Sequence, residues 1–205
     1  MTLPGCYSWT LTGRRLWVPY EAPQGRRVNA IGAYCTHGEE AGRFVYALSA
    51  RLPKSKAKKQ RKTPAEQAAA HDLRAEQVGT IDGEQFVRFV WKVAGRPAIY
   101  PEGWQRQRPL VIVLDNYSVH TCARVQQEMA AFAAAGITLF FLPSYSPELS
   151  GIEPIWHDVK HHEMTKRSYD LLGALFRAVD ETLARKARDL LAASPKSANP
   201  FRAAA

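Results

Sequence analysis

Apolar positions along the chain follow two different rhythms. "VNAIGAYC" (28–35) and "RFVYALS" (43–49) are β-type runs. The turn-forming "THGEEAG" between them predicts a hairpin. "TPAEQAAAHDLRAEQV" (63–78) has helical composition with weak periodicity. Phe86, Phe89, Val90 and Val93 then recur at helical spacing, which predicts a helix with Thr80 as N-cap and Gly95 as its end. "RPLVIVLDN" (108–116) is apolar at successive positions, the pattern of a strand buried on both faces. A helix over 119–136 closed by Gly136 follows, and then a second short buried strand over 137–143. "IEPIWHDVKHHEM" (152–164) predicts a helix with Pro154 in its first turn, where proline is tolerated. Ser168 caps a last helix with Leu172, Leu175, Phe176, Val179 and Leu183 on one face. Residues 1–27 are rich in Gly, Pro and Arg and read as extended with turns.

A helix between two apolar strands predicts a right-handed βαβ unit, and the whole order predicts an α/β layered domain with one mixed sheet. The 205 residues suffice for one domain, over 1–195, with a flexible tail at 196–205. No apolar run approaches the roughly 20 residues of a membrane helix, and the start lacks the order of a signal peptide. Cys6, Cys35 and Cys122 form no close pair, as expected of reduced thiols. A soluble, cytoplasmic protein without a membrane partner is the expectation.

Charge changes this picture at one place. The net charge is +9, and "RLPKSKAKKQRK" (51–62) carries seven basic residues and no acid. The rest of the chain is nearly balanced. This run is either a solvated loop or a contact to a polyanion. Candidate phosphate contacts are Arg14, Arg15, Arg26, Arg27, Lys54, Lys56, Lys58, Lys59, Arg61 and Lys62.

Chemistry concentrates at "VIVLDNYSVH" (111–120), where a buried strand runs into Asp115. Residues just past the carboxyl ends of strands line the crevice of an open α/β sheet. If the strands near 110–114 and 138–142 are neighbours, Asp115 and Glu153 can converge. Two converging carboxylates repel unless a cation lies between them, and Mg²⁺ or Mn²⁺ suits oxygen donors. The plainer reading of Asp115 is a turn or cap residue. "HDVKH" (157–161) offers a zinc alternative, with His157 and His161 one helical turn apart and Glu181 further on, but Asp158 stands where that pattern has Glu.

"VLDNYSVH" followed by "FFLPSYSPELSGIEPIWHDVK" resembles the catalytic core of DDE-superfamily transposases, in particular bacterial insertion-sequence transposases related to the mariner group. Asp115, Asn116, His120, Leu142, Pro143, Tyr145, Ser146, Pro147, Glu148, Leu149, Ile152, Glu153 and Trp156 carry the likeness. Ser150-Gly151 departs from it, since Asn-Pro is usual there. The resemblance implies a ribonuclease-H-like fold of the retroviral-integrase type, a mixed sheet flanked by helices. Asp115 and Glu153 would be metal ligands, Asn116 and His120 would support them, and Tyr145, Ser146 and Pro147 would shape the loop carrying Glu153. The reaction would be metal-dependent phosphodiester hydrolysis and strand transfer on insertion-element DNA. The first acid of the three, on a strand before "YSW", has no counterpart in "MTLPGC", so a first strand missing from the sheet and an inactive domain are expectations too. A DNA-binding remnant without catalysis is the alternative. The partners expected are DNA, at element ends and at the target, and a second copy of the chain, in a nucleoid-associated setting.

Overall fold

The computed structural model describes residues 12–14, 26–52, 63–143, 146–164 and 169–194. Strand β1 (Arg27–Tyr34) pairs antiparallel with β2 (Phe44–Arg51), in register from Arg27↔Arg51 to Tyr34↔Phe44. The hairpin closes through Gly42 N–H to the Cys35 carbonyl at 2.8 Å. Helix α1 (Pro64–Ala69) starts at a capping box: Glu66 N–H donates to Thr63 Oγ1, and Thr63 N–H donates to the Glu66 carboxylate. It is shorter than the helical composition of 63–78 suggests, and only a 3₁₀ turn at Ala75–Gln77 follows it. Helix α2 (Gly83–Val93) begins at Asp82 rather than Thr80, because the Asp82 carboxylate accepts the Gln85 N–H at 3.0 Å.

Strand β3 (Leu110–Leu114), helix α3 (Ala123–Ala134) and β4 (Ile137–Phe141) form the expected βαβ unit, with β3 and β4 parallel and Leu110 opposite Ile137. Helix α4 (Glu153–Asp158) passes into a π-helical turn, Val159–Glu163, closed by Met164 N–H to the Val159 carbonyl. Helix α5 (Leu172–Ala193) is the longest element. Its N-cap is Leu171; Ser168 lies outside the described residues. No described helix is long and apolar enough to cross a membrane.

The sheet differs from the expectation. Among the described residues, instead of one mixed sheet there are two two-stranded sheets, β1–β2 and β3–β4, which share no ladder. One edge of β1 and one edge of β3 are unpaired among the described residues. Helix α2 holds the sheets together. Its Phe89 and Val93 pack with Val45 of β2 and touch Ile31 and Ala33 of β1 and Leu110 and Ile112 of β3. Its Phe86, Val90 and Trp91 join Val125, Phe132, Ile137 and Leu139 in the core under β3–β4. The other face of β1–β2 is covered by α4, the π-turn and α5, through Phe44, Ile155, Val159, Val179 and Leu183. No such layer covers the outer face of β3–β4 among the described residues. Val111, Val113 and Phe140 there are 59%, 53% and 55% exposed, so β3 is buried on one face and not on both.

Candidate active site

Asp115 is the first residue beyond β3, and a set of hydrogen bonds surrounds it. Leu142 N–H donates to the Leu114 carbonyl at 2.8 Å, which extends the β3–β4 ladder to the level of Asp115. Asn116 Nδ2 donates to the Leu142 carbonyl at 2.6 Å, so the asparagine ties the two carboxyl ends together. The Asp115 carboxylate accepts the Tyr117 N–H at 3.1 Å, an Asx turn. His120 N–H then closes the turn on the Tyr117 carbonyl. These contacts explain "DNYSVH" as a local motif. The turn reading of Asp115 therefore holds, and it also positions the side chain.

His120 Nδ1 lies 2.9 Å from Asp115 Oδ1. An ionised carboxylate only accepts, so Nδ1 carries the hydrogen. The imidazole is 18% exposed and packs on Phe86 of α2 with 4.5 Å between ring centroids. The carboxylate is 68% exposed. The result is a solvent-facing acid held by a ring anchored in the core.

Two of the cations are brought together by the hairpin register. Arg27 and Arg51 are register partners at the open end of the hairpin, with Arg26 beside them. From there Gly79 N–H bonds the Ala50 carbonyl, and the chain enters α2, whose Gly83 abuts Cys122 and Arg124, close after His120. Arg51 was not singled out from the sequence as a contact, because only the pairing register sets it opposite Arg27. Arg14 is exposed. Arg15, Lys54, Lys56, Lys58, Lys59, Arg61, Lys62 and Tyr145 lie outside the described residues.

Glu153 is the first residue of α4, with its N–H on the Ser150 carbonyl at 3.1 Å and its side chain exposed. A Cβ on Gly151 would sit 3.9 Å from Thr36, in the hairpin turn. That turn is tied to the amino end of β3 by Arg108–Glu39 at 2.7 Å and Arg106–Glu40 at 3.1 Å. Asp115 is at the carboxyl end of β3, and five strand residues span about 16 Å. Trp156 fixes this seating of α4, because its ring fills the notch left by Gly32 and packs edge-on against Phe44 at 5.8 Å. Asp115 follows a strand of one sheet, and Glu153 begins a helix packed on the other. Among the described residues no group of three or more His, Cys, Asp or Glu side chains is arranged to hold a metal ion.

The zinc pattern fares no better. His157 and His161 stack with 4.4 Å between ring centroids. Asp158, however, pairs with Lys186 of α5, whose hydrogen bond holds the carboxyl below its usual range. Lys186 also reaches Glu163 at 2.8 Å, so these charges staple the π-turn to α5.

Comparison with known proteins adds the remaining evidence. A family profile described as DDE superfamily endonuclease matches residues 54–175, more than half of the chain and a span containing Asp115, Asn116, His120 and Glu153. No curated protein matches the chain. On the family match, the chain belongs to the DDE superfamily endonucleases, a mixed α/β domain of transposase type with DNA as its substrate.

Proposed function

We propose that this chain is the DNA-cutting domain of a bacterial insertion-sequence transposase related to the mariner group, on a ribonuclease-H-like plan. The observation that carries the reading is Asp115, an exposed carboxylate braced by His120 at the carboxyl end of paired parallel strands, inside the matched span. The neighbouring Arg26, Arg27 and Arg51 support it, since neutralised phosphates dominate DNA affinity.

Asp115 and Glu153 offer hard oxygen donors, which suit Mg²⁺ or Mn²⁺. Such an ion, when bound, stabilises developing charge on a phosphoryl group and lowers the pKa of water. Asp115 is preformed for that task. Glu153, the first residue of α4, is the second donor in this reading. We assign no described residue to the family's first acid. In this reading His120 holds Asp115 in one rotamer, Asn116 keeps the strand ends in register, and the arginines seat the phosphate backbone.

The neighbouring Arg26, Arg27 and Arg51 also fit one second reading, a domain that binds DNA without cutting it. A nicking assay on supercoiled plasmid with Mg²⁺ or Mn²⁺ separates the two. Cleavage that disappears in Asp115→Asn and in Glu153→Gln supports the endonuclease. Cleavage that survives Asp115→Asn removes this site from the reaction. Salt-sensitive binding with no cleavage by the parent chain supports the binding module.

A further inference from the structure

The segment between α2 and β3 builds a tip that the nuclease reading leaves unused. Helix α2 ends in a Schellman motif: Gly95 has φ +74°, its N–H bonds the Lys92 carbonyl, and Arg96 N–H bonds the Trp91 carbonyl at 3.1 Å. The guanidinium of Arg96 is thereby brought over the Trp91 ring, 3.8 Å from its centroid, and Tyr100 covers it at 4.3 Å. Trp91 in turn packs on Phe132 at 5.0 Å, so the stack Tyr100–Arg96–Trp91 is rooted in the core. Pro97 and Pro101 fix the backbone on either side of the apex, and Trp104 N–H closes it on the Pro101 carbonyl. At the apex Ile99 is 94% exposed and Tyr100 46%.

Charge around the tip is selective. Arg106 and Arg108 pair with Glu40 and Glu39, while no carboxylate pairs with Arg96 among the described residues. Arg96 is therefore the cation left for an outside anion, and it sits directly beneath an exposed aromatic ring. A guanidinium next to a rigid aromatic and an apolar apex is the combination that stacks an unpaired base and holds its phosphate.

We propose that Ile99, Tyr100 and Arg96 form a stacking platform for unpaired bases of DNA. It is a second nucleic-acid contact, at the amino end of β3 and opposite Asp115. The proposal rests on the DNA reading above and adds a site to it. Stacking on Tyr100 and Ile99 gives single-strand affinity that does not depend on salt, whereas phosphate contacts from Arg96 and from Arg26, Arg27 and Arg51 are salt-dependent.

The test is fluorescence anisotropy with a single-stranded 20-mer and its duplex over a salt series, on the full chain and on Ile99→Ser, Tyr100→Ser and the double variant. Both side chains are exposed, so the variants should keep the parent's circular dichroism and melting temperature. The expected result is single-strand affinity lowered by about 5- to 100-fold with an unchanged salt slope, and a smaller effect on the duplex. Single-strand binding equal to the parent's overturns the platform while leaving the DNA reading intact. A parent that binds neither DNA overturns both. If the variants change only self-association in sedimentation, the tip is a contact between copies and the proposal fails.

Discussion

Arg27 and Arg51 face each other across β1 and β2, like charge opposite like charge on the last rung of the hairpin. Directly opposed like charges destabilise a strand pair. In the proposed function a phosphate held between these arginines would offset that repulsion.

Arg51→Thr should therefore stabilise the free chain by a few tenths of a kcal/mol. It should also weaken DNA binding uniformly across sequences and reduce the log–log salt slope by about 1. Thermal melts together with a salt titration of duplex binding check both halves. Weaker folding together with unchanged DNA affinity would make the pair a mere surface feature.

His120→Ala should lower metal-dependent nicking by about 10- to 100-fold, the range for a group that orients a ligand. Asp115→Asn should remove nicking altogether. His120→Asn, which keeps a donor near Asp115 Oδ1, should recover part of the loss. If His120→Ala costs melting temperature alone, its contact with Phe86 is its whole role.

Tyr46 donates its hydroxyl to Asp180 Oδ1 at 2.8 Å, and burial together with that bond to Asp180 pushes its pKa up to about 12. The folded state thus favours the neutral phenol. Its contribution is complete below the unfolded value near 10 and is lost as pH rises through about 12. Urea melts between pH 9 and pH 12 should show stability falling across that window. Tyr46→Phe should flatten the fall and cost about 1 kcal/mol at neutral pH.

Gly173, in the first turn of α5, has its N–H on the His71 carbonyl at 2.9 Å. An added Cβ would collide with the carbonyl oxygen of Asp72, which is backbone and cannot swing aside. Gly173→Ala should cost about 1–3 kcal/mol despite the better helix propensity of alanine. Gly136→Ala meets no neighbouring atom within 4 Å and should cost only the strain of its φ of +78°. The order of the two melting temperatures decides the point.

The strand pairs were legible because their residues are apolar in runs too short for helices and are bounded by turn formers. The start of α2 was not, since Thr80 and Asp82 both cap helices and only the bond to Gln85 N–H selects between them. Asp115 could be singled out because its partners, Asn116, Tyr117 and His120, are within five residues of it. The position of Glu153 could not be read, because it depends on Trp156 entering the notch at Gly32, which is 124 positions away in the chain. The open face of Val111, Val113 and Phe140 was hidden for a related reason: an apolar run states that a strand wants cover and not that cover is there.

Among the described residues the two pairs of strands exchange no backbone hydrogen bonds; α2, the Arg106–Glu40 pair and the Arg108–Glu39 pair join them, and Phe89 is the rivet within α2. Loosening that rivet would let the hairpin with its carboxyl-terminal helices and the parallel unit melt as separate calorimetric peaks. The parent chain would melt in a single transition.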